Sequence, residues 1–178
     1  MRILRAAERR AVPWKNGGGT TREIAVFPPG SDFATFLWRL SIAEVTQPGP
    51  FSHFENIDRH FAVLAGRVRL VFPHGTQDCD AHSEPIVFAG ETPCHATPLD
   101  GPVTDLNLML RRGRVQASMQ RVSGRTRLGG GTSIVVAPQA LSLRVGGRTV
   151  ALEKHDAALF DEPCELDIGA PALIIAIP

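Results

Sequence analysis

The chain has few of the features that announce a common chemistry. Cys79, Cys94 and Cys164 are the only cysteines among 178 residues. Odd in number and without a C-x-x-C pair, they support neither a disulfide framework nor a zinc knuckle, and a reducing cytosol is the expected setting. Charge of one sign is missing too. With 19 basic and 18 acidic residues, net +1, nothing draws the chain to nucleic acid or to an anionic membrane. No apolar run approaches the roughly 20 residues of a membrane helix; the most apolar stretch is "ALIIAIP". The opening "MRILRAAERR" holds no apolar segment of signal-peptide length. The expectation is a soluble cytoplasmic protein with no nucleic-acid or membrane partner. Signatures of nucleotide binding and acyl transfer are absent as well. Neither G-x-x-x-x-G-K-[ST] nor G-x-G-x-x-G occurs, and no G-x-S-x-G elbow presents a serine.

Uninterrupted helix-forming sequence is equally scarce, because 17 glycines and 14 prolines punctuate every stretch that could carry several turns. What remains is a series of about ten short strand-like runs separated by turn signals, the pattern of an all-β barrel or sandwich. In "LSLRVGGRTVAL" two alternating runs meet at Gly146-Gly147, a pair suited to a two-residue hairpin turn. "VQASMQRV" admits either a helical turn or two or a strand. There is also an internal echo. "FAVLAGRVRLVF" followed by "EPIVFAGETP" resembles "SIVVAPQALSLRV" followed by "DAALFDEPCE", which predicts a duplicated unit.

Against these absences stands "PWKNGGGTTREI", residues 13–24. One reading is a turn at Asn16-Gly17 with extra glycines. The other is a nest of bare N–H groups at Gly18 and Gly19, completed by Lys15 and Arg22, that grips an anion. In "TFLWRLSIAEV" alternation sets Phe36, Trp38, Leu40 and Ile42 against Leu37, Arg39, Ser41 and Ala43. Arg39 is then either wetted on an open sheet or enclosed in a barrel, where it needs an anion. "DLNLMLRR" likewise sets Asp105, Asn107, Met109 and Arg111 against Leu106, Leu108, Leu110 and Arg112. Asp and Asn are depleted in strands, so two on one face mark solvent or a polar pocket. His53, Glu55, Asp58, His60 and His95 superficially resemble cupin metal ligands. Glu55 replaces the second histidine of H-x-H, and an odd spacing puts His53 and His60 on opposite faces of an unbroken strand. Neither metal nor cofactor is expected. Cys79 and Cys94 have no local context that would activate a thiolate.

Four separated blocks, "VPWKNGGGTTREIAVFPPG", "FLWRLSIAEV", "GPFSHFENIDRHFAVLAG" and "DLNLMLRRG", resemble the HutD/Ves family over about the first two thirds of the chain. The resemblance implies a bicupin of two packed β-rolls. The first would span residues 1–113 and hold the ligand pocket; the second, smaller, would span 114–178 and be completed by amino-terminal strands. It also implies a cytoplasmic, non-catalytic regulator of histidine utilisation that binds a small carboxylate such as formylglutamate. An enzyme acting on a small acylated amino acid and a stress-related Ves-like protein are the alternatives. The family motif falls on Trp14, Lys15, Asn16, Gly17, Gly18, Gly19, Thr20, Arg22 and Glu23, then on Trp38 and Arg39, Phe51 and Ser52, Asp58 and Arg59, and Asp105 and Asn107. Lys15, Arg39 and Arg59 become the expected carboxylate partners. Asn16, Thr20 and Asn107 would read an amide or formyl group, with Trp14 as an apolar wall. Asp58, Asp105 and Glu23 would bind directly or hold those cations in place. Where the family reads F-P-G-I-D-R, this chain has Phe54-Glu55-Asn56-Ile57-Asp58-Arg59, so Asn56 must take the left-handed turn conformation in place of glycine. Pairing into a homodimer through exposed strand edges is a further expectation by analogy.

Overall fold

Glycine and proline interrupt the chain too often for helix to persist. Among residues 1–14 and 17–178, which the computed structural model describes, the only helix is a 3-10 turn at Ala6–Glu8. Seventeen strands account for the regular structure of these residues. In chain order they are β1 (Arg2–Leu4), β2 (Ala11–Pro13), β3 (Gly19–Phe27), β4 (Trp38–Val45), β5 (Gly49–Pro50), β6 (Ile57–Ala65), β7 (Arg67–Phe72), β8 (Gly75–Asp80) and β9 (Ile86–Ala89). There follow β10 (His95–Pro98), β11 (Val103–Arg111), β12 (Ser118–Leu128), β13 (Thr132–Val136), β14 (Leu141–Val145), β15 (Arg148–Leu152), β16 (Ala157–Phe160) and β17 (Cys164–Ile177). The described pairings are antiparallel throughout. Two compact units divide the chain: residues 10–115, and residues 116–178 together with 1–9.

The unit of residues 10–115 contains a six-stranded sheet, in the order β2-β3-β4-β11-β6-β9, and a four-stranded sheet, β5-β10-β7-β8. Alternation along β4, β6 and β11 explains how they pack. One face of the larger sheet contributes Val45, Phe61, Val63 and Val103 to a core completed by Val68, Leu70, Cys79 and Ala96 of the smaller sheet. Its other face carries Leu40, Ile42, Leu106 and Leu108, also buried. A bulge in β3 between Glu23 and Ala25 shifts the register against β4, so that Glu23 lies opposite Ser41 and Val26 opposite Arg39. One extra residue, Ile24, thereby sets Val26 rather than Ala25 opposite Arg39, while Glu23, before the bulge, shares the face of Ser41 and Arg39.

The other unit is a seven-stranded sheet, β1-β16-β13-β17-β14-β15 with β12 on the remaining edge of β17, closed over a core that includes Val135, Leu143, Leu152, Phe160 and Ile174. The ambiguous stretch around residue 118 is strand: β12 follows β17 from Ser118 to Leu128 with one bulge after Val122, and that ladder outweighs any local helical preference. Gly146 (φ 54°) and Gly147 (φ 78°) are both left-handed between β14 and β15, as a two-residue type I′ hairpin requires. Asp156 ties the amino terminus to this unit. Its carboxylate accepts from the Ala6 N–H at 2.7 Å, the Glu153 N–H at 3.0 Å and Arg5 Nη1 at 2.6 Å. The four successive strands β6 to β9 and β13 to β16 pair in the same order within their units: first with fourth, and second with third as a hairpin.

Candidate functional site

Residues directly opposite one another in an antiparallel ladder share a face of the sheet. Against β4, β11 sets Asp105 opposite Ala43, Asn107 opposite Ser41 and Met109 opposite Arg39. Against β6 it sets Asp105 opposite Val63, Asn107 opposite Phe61 and Met109 opposite Arg59. Asp105, Asn107, Arg39 and Arg59 therefore all project from the face that packs toward the smaller sheet. β9 adds Phe88, opposite Arg59.

Arg59 is the centre of this group. Only 6% of it is exposed, yet among the described residues no carboxylate oxygen lies within 4.0 Å of its guanidinium. Its Nε–H donates to Asn107 Oδ1 at 3.2 Å, spending one of five donors. Ring faces also surround it, with centroids of Phe51, Phe88 and Phe54 at 4.8, 5.1 and 5.9 Å. Cation–π attraction offsets part of the desolvation cost but offers no hydrogen-bond acceptor. Burial lowers the Arg59 pKa, opposed by the nearby Asp105 and Cys94. Asp105 is as deeply placed, 3% exposed. Burial pushes its carboxyl up to about 7, against the opposing pull of Arg59. Cys94, also buried, is raised to about 11 by desolvation, with Arg59 acting the other way.

Arg39 sits at the edge of the same face and is engaged already. Its Nε donates to Glu23 Oε2 at 2.8 Å, and its guanidinium lies 4.9 Å over Phe33. Phe33 in turn stacks on Phe54 at 5.5 Å, so an aromatic row joins the two arginines. A cleft of about 440 Å³ adjoins the group and takes Phe51 and Cys94 as shared walls, with Phe72, His53 and His95 among its other lining residues. A shallow depression of about 520 Å³ lies in the other unit. There Asp167 sits between Arg125 and Arg144, and Glu165 opposite Arg127, so cation and anion alternate, and the arginines are exposed.

The glycine-rich segment is described from Gly17 onward; Lys15 and Asn16 lie outside the described residues. Trp14 packs beside the core of the unit and donates from Nε1 to Thr21 Oγ1 at 2.7 Å, and its N–H bonds to the Gly19 carbonyl at 2.9 Å. The Gly18 carbonyl accepts from Thr46 N–H at 3.0 Å. A Cβ on Gly19 would collide with the Glu44 carbonyl and come within 3.2 Å of the Trp14 ring, so close packing alone requires glycine there. Thr20 Oγ1 is buried and has no hydrogen-bond partner among the described residues. Arg22 lies opposite Ile42 and Asp58 opposite Leu110, on the other face of the sheet from Arg59. Asp58 accepts instead from Arg112 Nε at 2.7 Å. Ser52 is exposed in the loop after β5. Asn56 has φ 58°, the left-handed conformation anticipated for it. His60 lies opposite Leu108 on the leucine face, and no three His, Cys, Asp or Glu side chains among the described residues gather as a metal site. No helix among them is long and apolar enough to cross a membrane.

The HutD family model matches residues 6–174. The chain belongs to the HutD family. Protein Ves of Cronobacter sakazakii is 40% identical over 115 residues, 64% of this chain and 61% of Ves; the chain thus spans about three fifths of the Ves proteins it matches. HutD from Pseudomonas fluorescens SBW25, solved in a formate condition, superposes with a TM-score of 0.86 at 27% identity, covering 99% of this chain and 97% of that one. A cupin 2 conserved barrel domain protein from Leptotrichia buccalis, 9% identical, superposes with a TM-score of 0.61 over 94% of this chain and 92% of its own, which makes the fold cupin-like. For a HutD-family chain, the residues that sequence reasoning missed around Arg59 are its aromatic walls, Phe54 and Phe88. They come from separate segments. The one available signal was that "PFSHF" spaces two of nine phenylalanines three residues apart, just before Arg59.

Proposed function

We propose that residues 10–115 form a receptor for a small carboxylate and that the protein is a non-catalytic regulator of histidine utilisation, with formylglutamate a ligand of suitable size and charge. The observation that carries this is a buried Arg59 that, among the described residues, has no carboxylate in contact and donates to Asn107 Oδ1. An arginine fork matches a carboxylate in a bidentate geometry, and Asn107 beside it can read an amide or formyl oxygen. The 27% identical HutD structure solved in a formate condition is consistent with a pocket of this chemistry. A second reading has one observation in its favour. A carboxyl near pH 7 such as Asp105 is suited to proton transfer, so an enzyme acting on an acylated amino acid is the alternative.

Thermal shift with formate, N-formylglutamate and glutamate tests the receptor. Ligand at about 100 times its Kd stabilises by ~2.7 kcal/mol, a rise of several degrees. No shift with any of the three would overturn the reading. Loss of N-formylglutamate on incubation, followed by NMR, would favour the enzyme.

A further inference from the structure

Two opposite charges buried in one chamber ordinarily close into contact, because each is costly to leave unpaired. Asp105 and Arg59 do not. Arg59 enters the face opposite Met109 and Asp105 lies two rows further along β11, with Asn107 between them. The guanidinium leans one row toward Asp105 and stops at Asn107 Oδ1. Among the described residues, burial and the Arg59 charge are what act on the Asp105 carboxyl. Its immediate neighbours, Ala43 and Val63, are apolar and buried. Other charged or titratable groups on these elements are engaged or remote. On β4, Arg39 is held by Glu23 of β3. Arg111, at the far end of β11, donates to the carbonyls of Phe33, Ala34 and Phe36. Cys79 of β8 and Cys94, just before β10, contribute thiols, both raised by burial and hence neutral near pH 7. Arg59 is the one charged group among the described residues of β6 on this face.

We propose that Asp105 serves the receptor as a neutral carboxylic acid, donating its O–H to a carboxylate ligand that Arg59 holds from the other side, so that ligand entry takes up a proton. The inference rests on the receptor reading. An ionised Asp105 would both repel the incoming anion and compete with it for Arg59. A protonated one supplies a donor from the row in which its partners on β4 and β6, Ala43 and Val63, have apolar side chains. The ligand class is narrowed accordingly, to a small monoanionic carboxylate end that fits between a guanidinium and a carboxylic acid. Atoms balance simply: one proton passes from solvent to Asp105 Oδ, and no bond within the ligand changes.

Calorimetry with formate and N-formylglutamate at pH 6 and pH 8, each in two buffers of different ionisation enthalpy, tests this on the full chain. Titration near pH 7 makes affinity about ten-fold weaker at pH 8 than at pH 6, with close to one proton taken up at pH 8. Asp105→Asn keeps a neutral donor, so it should bind at both pH values with equal affinity and without proton exchange. Wild-type affinity unchanged between pH 6 and 8, with no buffer dependence, overturns this inference and leaves the receptor standing. Absence of binding at both pH values overturns the receptor and this inference with it. Should Asp105→Asn not fold, the 13C carboxyl signal of Asp105 in the wild-type protein decides. A midpoint near 7 that rises with formate supports the inference, and one below 5 refutes it.

Discussion

Arg59→Met is the sharpest perturbation of the site, because it separates what stability wants from what binding wants. The native guanidinium is 6% exposed, and desolvation of such an ion costs several kcal/mol. It recovers about 0.5–2 kcal/mol from each well-placed ring and about 1.5–3 kcal/mol from a charge-assisted hydrogen bond, here to Asn107. These terms roughly cancel. Methionine is of similar length, removes the desolvation cost and keeps favourable sulfur contacts with Phe51, Phe54 and Phe88, ~0.3–1.5 kcal/mol each. At pH 6 Asp105 is mostly neutral, so no orphan anion is left behind. The variant should therefore gain about 1–3 kcal/mol, as replacement of buried charges by apolar groups commonly does, which is a rise of a few degrees in Tm. Affinity for N-formylglutamate should fall at least ~30-fold, since losing the partner of a desolvated charge costs about 2–5 kcal/mol. Urea unfolding and calorimetry at pH 6 read both quantities. A loss of 2 kcal/mol in stability with unaltered affinity would refute the reasoning and assign Arg59 to the core.

Gly19→Ala should cost about 1–3 kcal/mol from overpacking, because its Cβ meets the Glu44 carbonyl and the Trp14 ring. Gly129→Ala, whose Cβ meets nothing within 4 Å, should stay within about 0.5 kcal/mol; equal effects in thermal melts would contradict the steric account. Asp156→Ala should destabilise by about 1–3 kcal/mol, since it removes the acceptor of the part-buried N–H groups of Ala6 and Glu153 and of the Arg5 cation. The native Asp156 carboxyl is raised by burial but lowered more by those hydrogen bonds, for a net depression. Its contribution is present above the usual carboxylate range and lost as pH falls through its depressed pKa. Melts from pH 7 to pH 2 should therefore lose an acid-labile component in the variant, and an unchanged pH profile would sink this account.

The fold class was legible because its signals are local. Glycine and proline density, alternation in "LSLRV" and the Gly146-Gly147 pair act over a few residues, where chain chemistry decides the outcome. Faces along single strands were legible for the same reason, so Arg39 with Ser41 and Asp105 with Asn107 were grouped correctly within their strands. What could not be read was how strands meet. Arg22 and Asp58 stand beside the site in sequence but face away from it, since parity within β3 and β6 turns them toward Ile42 and Leu110. The bulge that sets Val26 rather than Ala25 opposite Arg39 depends on one extra residue in β3 whose position no periodicity betrays. Gly19 shows a different limit: a glycine wanted for packing against Glu44 and Trp14 looks, in sequence, the same as one wanted for a nest.

The spacing of Asp105 and Arg59 argues for binding over structure. A pair kept for stability would gain by closing, since attraction strengthens steeply as two buried charges approach in a low-dielectric interior. Nothing in β6 or β11 forbids a shorter reach, because a guanidinium that leans one row to Asn107 has gone half of the way. Asn107 intercepts it with a neutral oxygen, and Phe51, Phe54 and Phe88 hold its plane from the sides. The result is a cation held apart from the Asp105 carboxyl and surrounded, among the described residues, by groups that do not neutralise it. A side chain in that position completes its shell only when a further anion arrives, which is the behaviour a carboxylate receptor requires.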